Sequence, residues 1–401
     1  MLKDLLKKDY VILDGAMGTN LFRKGLTAWE CPESWNIENP EKIFEIHEGF
    51  VDAGSDIIVT NTFGGNQFRL KLHQLESKVK ELNFAGAQIA RRCAGKKVFV
   101  AGSIGPSGEI LEPLGSLAYE LAVKVFGQQS LALAEGGVDI LWLETFSDIK
   151  EMKAAIEGSM QTGLPIVATM SFDTAGKTMM GVSPNEFVSF MEKQHNVFAY
   201  GANCGLGFDE LLQTVGEMQN AGGKNIVAKS NFGIPVFHNG LIKYSTTEKS
   251  LLCYAVKARN MGALLIGGCC GSEAEHIKKI KEILKISPYK FLKHKQSNSL
   301  NRENKKPRRR KRNKIDTKKV WYYPAAKTLQ SHPITFKKTL QIPSEQKIVR
   351  NVNHRGNICR LSVAFESKII NAKTGLGNSV SISRISFWPN RILFNRNGWR
   401  T

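Results

Sequence analysis

What this chain lacks narrows its reading first. No apolar run approaches the ~18 residues that cross a bilayer. The opening MLKDLLKKDY is charged and amphipathic, without the apolar stretch of a secretory leader. The expectation is a cytoplasmic protein with no membrane partner. Histidine is scarce, at 8 residues, and none ends a candidate strand, which counts against a hydrolytic zinc site of the His-and-carboxylate kind. The seven cysteines are odd in number and fit no small disulfide framework, so thiols are expected to serve a metal or chemistry in a reducing compartment. Acidic residues nearly vanish after position 286. About 4 Asp/Glu face about 27 Lys/Arg in 287–401, so the net charge of +20 belongs to the tail and the remainder is slightly acidic.

What is present, from the N-terminus to about 286, is a rhythm. Eight short apolar runs alternate with longer helical patterns: YVILD, DIIVTN, KVFVAGS, VDILWLE, PIVATMSF, VFAYGANC, NIVAKSN and ALLIGGCC. The runs are continuously apolar, as parallel strands covered on both faces are. Several helical patterns, such as DIKEMKAAIEGSMQTG, end in glycine just before the next run. Eight strand–helix units predict an α/β fold of the (β/α)8 TIM-barrel class over 1–286, with a doubly wound open sheet as the alternative. Residues 287–320 are basic and almost free of apolar side chains, so a disordered linker is expected there. The extension 321–401 has apolar islands without a period.

Polar residues fall at the C-terminal ends of the runs: Asp14, Asn61, Ser103, Glu144, Asn203 with Cys204, and Cys269 with Cys270. In a barrel those ends converge on the face that carries chemistry. Cys269 and Cys270 stand in GGCCG, Cys204 in GANCG. Adjacent residues on a strand point to opposite faces, but glycines at 267, 268 and 271 let the backbone turn so that both thiols face one way. The strands carrying Cys204 and the pair are separated by one neighbour, about 10 Å at the ~4.8 Å strand spacing. Two readings stand: a shared soft metal, Zn²⁺ by ligand type, or a buried core thiol beside an incidental pair. Three ligands would leave an open fourth position, suited to a thiol substrate.

The blocks DGAMGTNL, NTFGGNQFRL, VAGSIGP, LETF, GANCG and GGCCG occur in one order across about 5–286. Together they resemble the homocysteine S-methyltransferase family, which includes betaine–homocysteine methyltransferase and the homocysteine-binding module of cobalamin-dependent methionine synthase. The resemblance implies a (β/α)8 barrel that binds Zn²⁺ through Cys204, Cys269 and Cys270, and methyl transfer to the homocysteine thiol to form methionine. It further implies that Glu144 holds the substrate ammonium and that Asp14 lies near the substrate. Asn61, Asn66 and Ser103 are expected at the same mouth.

The donor is open: betaine, S-methylmethionine or another methylsulfonium, or a methylcorrinoid protein. Motif matching puts the cage tyrosines of betaine users at about Gly64 and at Thr145, neither of them aromatic; Trp29, Trp35, Phe63 and Phe146 are other cage candidates. NTFGGNQFRL looks more like the cobalamin-type module, although no corrinoid-binding His motif is visible. The loop SFDTAGKTMMGVSP could close over the donor. PRRRKRNK, followed by Trp321, Tyr322 and Tyr323, also admits nucleic acid as a partner of the tail, which would make the barrel a non-catalytic scaffold.

Overall fold

The computed structural model describes residues 2–290 apart from 234, 239, 240 and 245, together with four short strands further on. The chain forms two compact units, Met1–Asn298 and Ser299–Thr401. In the second, Val349–Val352 pairs antiparallel with Ile358–Ser362, and Ser386–Trp388 with Arg391–Leu393. Of the expected linker 287–320, residues 291 onward, with the basic run, lie outside the described residues, as do Trp321, Tyr322 and Tyr323.

The first unit is the predicted barrel. Its strands are β1 (Val11–Ile12), β2 (Ile57–Val59), β3 (Phe99–Ile104), β4 (Ile140–Phe146), β5 (Ile166–Met170), β6 (Val197–Cys204) and β7 (Ile226–Ser230). A hairpin of β8 (Pro235–His238) and β9 (Leu241–Tyr244) follows, and β10 (Ala263–Gly268) completes the set. Eight strands form one sheet in the order β1-β10-β7-β6-β5-β4-β3-β2, and their pairings are parallel. The sheet closes where Leu13 bridges Ile57 and Asp56 N donates to Ile12 O at 2.7 Å.

Strand alternation sorts the core into two shells. Leu13, Ile140, Trp142, Val167, Ala199 and Val227 fill the barrel interior. Their neighbours Ile12, Leu141, Ile166, Tyr200 and Ile226 pack outward under the helices. Helices such as Pro40–Asp52, Val79–Ala94, Tyr119–Glu135, Ile149–Ser159, Phe208–Asn220 and Glu248–Asn260 form the outer layer. The glycine stops predicted from sequence are real turns: Gly163 (φ +70°) and Gly262 (φ +100°) sit between a helix and the next strand in the left-handed region that favours glycine. The unit extends slightly past 286. Buried Arg259 donates to the carbonyls of Leu284, Ser287 and Pro288, pinning the chain after helix Ala274–Ile286.

His47, on helix Pro40–Asp52, is fully buried, and neither ring nitrogen has a protein hydrogen-bond partner. Burial alone pulls its imidazole down to about 4. The fold therefore holds the neutral ring, whereas the unfolded chain takes up a proton below about 6.5. This contribution to stability is complete above that value and is lost as pH falls toward 4. Acidification from pH 7 to 4 should remove up to about 3 kcal/mol through this group. In His47→Leu that part of the pH dependence should be missing, as read from urea unfolding at a series of pH values.

Candidate functional site

Above the apolar interior, the same inward positions turn polar. Two residues beyond Trp142 on β4 is Glu144; two beyond Val167 on β5 is Thr169; two beyond Val227 on β7 is Lys229. Ser103 from β3 and Asn203 from β6 complete this ring, and all five are buried. Ser103 Oγ donates to Glu144 Oε1 at 2.5 Å. Asn203 Oδ1 accepts from Thr169 Oγ1 at 2.7 Å and from Thr145 N at 2.9 Å, while its Nδ2 donates to Thr145 Oγ1 at 2.7 Å. This grip holds Thr145 at φ +65°, a conformation costly for a β-branched residue.

The three cysteines meet at one edge of the ring. Cys204 Sγ lies 3.0 Å from Cys269 Sγ and 3.9 Å from Cys270 Sγ, and all three sulfurs lie within 4.8 Å of one another. Strand parity alone would not achieve this. Cys204 shares parity with the outward-facing Tyr200 and Ala202, and its φ of +60° breaks that pattern. β10 stops at Gly268, so the cysteine pair stands in the turn that follows, closed by Gly271 at φ +87°. Cys269 N donates to Ser230 O at 2.7 Å, and Cys270 N to Asn231 Oδ1 at 3.0 Å. Asn231 Nδ2 also donates to Gly205 O at 2.8 Å, so one side chain ties both cysteine-bearing turns together. Tyr244, at the end of β9, lies against Gly271: a Cβ there would come within 2.5 Å of the tyrosine ring.

Sulfur, carboxylate and ammonium share one electrostatic pocket. The Cys204 thiol is pushed well above its usual range by its hydrogen bonds to Cys269 and Cys270. Cys269 is held well below it by its hydrogen bonds with Cys204 and Cys270, with Lys229 adding to the effect. Lys229 Nζ lies 2.8 Å from Asp14 Oδ1, and Asp14 Oδ2 accepts from Val59 N at 2.7 Å. Burial raises Asp14, against the pull of Lys229. Burial likewise pushes Glu144 up to about 7, opposed chiefly by Lys229. Three soft sulfurs brought together at strand ends and the turns after them suit a thiophilic divalent ion.

The residues predicted from sequence divide accordingly. Cys204, Cys269 and Cys270 come together, and Glu144, Ser103 and Asp14 lie in the connected polar pocket. Asn61 and Asn66 are placed differently. Asn61 Nδ2 donates to Pro32 O and to Asn36 Oδ1, and Asn66 caps helix Gln67–Lys71 by accepting from Arg69 N while donating to Pro106 O. Both amides organise the loops after β2. Sequence reasoning missed Lys229 and Tyr244; the only signal for the first was a charge within the apolar run NIVAKSN.

The positions expected to carry cage aromatics are also accounted for. A Cβ at Gly64 would lie 2.9 Å from Glu33 Oε1, and that oxygen accepts from Gly64 N at 2.6 Å. Thr145 is committed to Asn203. A cage tyrosine at either place would displace an existing contact.

Over residues 11–284 the chain matches the family described as homocysteine S-methyltransferase. It is 29% identical over 298 residues to the methionine synthases of Mycobacterium tuberculosis and of Mycobacterium leprae, with 70% of this chain covered in each case. It spans 25% and 24% of those relatives, about a quarter of their length. In fold it is similar to the homocysteine methyltransferase MmuM of Escherichia coli. The metallated form gives a TM-score of 0.59 at 22% identity, covering 70% of this chain and 98% of MmuM. The apo form gives 0.55 at 22% identity, covering 69% and 97%.

Asn203→Ala leaves the Thr145 amide and two hydroxyls without their buried partner. Denaturant unfolding of this variant should show a loss of about 2–3 kcal/mol, well above that of an exposed Asn→Ala change such as Asn185→Ala.

Proposed function

Because the chain belongs to the homocysteine S-methyltransferase family, we propose that it transfers a methyl group to the thiol of homocysteine, forming methionine, with Zn²⁺ held by Cys204, Cys269 and Cys270. The observation that carries this reading is the convergence of three sulfurs, from two strands, within 4.8 Å of one another. When bound there, zinc supplies Lewis acidity that makes a coordinated thiol a thiolate near neutral pH.

The chain's own residues then divide the work. Glu144 meets the substrate ammonium in a charge-assisted contact, held in place by the Ser103 hydroxyl. The Asp14–Lys229 pair forms the charged floor beneath it. Asn203 and Asn231 keep β4, β6 and the cysteine turns in register, so the sulfur acceptor is presented from a rigid ring. The substrate sulfur attacks the methyl carbon, and the donor leaves with the electron pair of the broken bond. Glu33 fills the space beside Gly64 and Asn203 binds Thr145, so no aromatic cage for betaine is built at those two positions. This favours a methylcorrinoid or a methylsulfonium as donor. On this reading the enzyme works in the cytoplasm, where thiols stay reduced; among the described residues no helix is long and apolar enough to cross a membrane. Residues 1–286 are the catalytic domain on this reading.

Two measurements test it. Cys204→Ala, Cys269→Ala and Cys270→Ala should each lower bound zinc, measured by elemental analysis, from about one per chain to a small fraction, with methionine formation lost at the same time. The wild-type enzyme, offered betaine, S-methylmethionine and methylcobalamin separately, should make methionine from one of the latter two. A zinc-free, fully active Cys270→Ala enzyme would overturn the assignment.

A third measurement is a pH series. Glu144 stands at about 7, above its ordinary range, so it gains a proton as pH falls through that value. Homocysteine affinity, measured by calorimetry, should therefore weaken by up to about tenfold per pH unit below 7. Glu144→Gln should bind weakly at all pH values and keep only the shallower dependence that loss of the thiol proton imposes.

A further inference from the structure

Lys229 breaks the pattern of its strand. Val227 fills the apolar interior, and two residues further along β7 an ammonium stands at 4% exposure. Burying such a charge costs several kcal/mol unless it is well paired. Asp14 supplies one partner at 2.8 Å, and the ring centroid of Trp142 lies 5.9 Å away. A simple ion pair would end there, but Glu144 and Cys269 also act on the same cation. The charges of Lys229, Cys269 and Asp14 act in turn on Glu144, and Ser103 is its hydroxyl donor.

The charge count is informative. Counting the carboxylates and the ammonium alone, Asp14 and Glu144 when ionised contribute two negative charges and Lys229 one positive, leaving one excess negative charge beside the sulfur cluster. That is the complement of a single incoming ammonium. Without Lys229, two carboxylates would share a low-dielectric pocket, and one would be forced to keep a proton. Without Asp14, Lys229 would turn to Glu144 and compete with the substrate for it.

We propose that Lys229 is a positioning residue for the amino end of the substrate: it keeps Asp14 and Glu144 charged together, so that Glu144 meets the ammonium as a carboxylate. This rests on the reading of Glu144 given above. It assigns to Lys229 a role that depends on the balance of charge and not on its shape.

The test is calorimetric binding to zinc-loaded enzyme of two thiols that differ only in the amino group, homocysteine and its deamino analogue γ-mercaptobutyrate. Wild type should prefer homocysteine by at least about tenfold. Lys229→Met and Asp14→Asn should each lose about tenfold in homocysteine affinity, while binding of γ-mercaptobutyrate stays within about twofold. The double variant restores the charge count and should recover most of the preference. Zinc content and circular dichroism check folding; should Lys229→Met fail to fold, Asp14→Asn and the double variant decide. The proposal is overturned if the single variants weaken both thiols alike or neither, or if the double variant binds homocysteine no better than the weaker single one. A wild type without preference between the two thiols would instead sink the role of Glu144.

Discussion

Three sulfur atoms packed within 4.8 Å of one another are the constraint on which the rest of the mouth depends. As thiolates they repel, and as thiols they gain little beyond weak hydrogen bonds, so the backbone must hold them together. It does so against strand geometry. Cys204 is held at φ +60°, where an L-residue costs roughly 1–2 kcal/mol, and Cys270 is turned by the left-handed Gly271. Asn231 bonds to both turns and spreads that strain over β6, β7 and the loop after β10. Strain maintained by such a network marks a place where geometry serves something other than stability.

The stability comes from the layer below. Leu13, Ile140, Trp142, Val167 and Val227 fill the interior with apolar volume, and each strand changes character only at its last inward position. One step along the strand separates a packing residue from a chemical one: Trp142 from Glu144, Val227 from Lys229. Such a barrel can carry a charged ring because side-chain hydrogen bonds and the Asp14–Lys229 ion pair tie its members together. The links from Asn203 to Thr169 and Thr145, and from Ser103 to Glu144, leave few polar groups to be satisfied by water.

Much of this was legible in the sequence, for a physical reason. Parallel strands are apolar on both faces, so a polar residue at the end of a run stands out, and Glu144, Cys204 and Cys269 were found in that way. The glycines of GGCCG announced the turn that the structure shows. Asn61 and Asn66 stand out by the same signal yet bond to loop backbone, because an amide serves equally well as ligand contact or cap. Lys229 was overlooked for the opposite reason. It lies inside a run, where a lysine reads as an edge or a fault, and its partner Asp14 is more than two hundred residues away in sequence. No local pattern encodes an ion pair closed by the barrel itself. Tyr244 reaches Gly271 through a hairpin that interrupts the strand–helix rhythm, so periodicity could not place it.

On the proposed reading, the acceptor side of a methyl transfer has a construction of its own. The acceptor half is composed of strand ends and the turns directly after them, tied by side-chain hydrogen bonds into one ring, which gives rigidity and a defined sulfur position. The loops after β1, β3 and β5, by contrast, carry the apolar side chains Trp29, Leu114 and Met179 at 77%, 76% and 61% exposure. Where relatives that use betaine are expected to place aromatic rings, this chain has a carboxylate-filled corner at Gly64 and a threonine committed to Asn203. On the proposed reading, thiol recognition is therefore written into strand ends that side-chain hydrogen bonds hold in place.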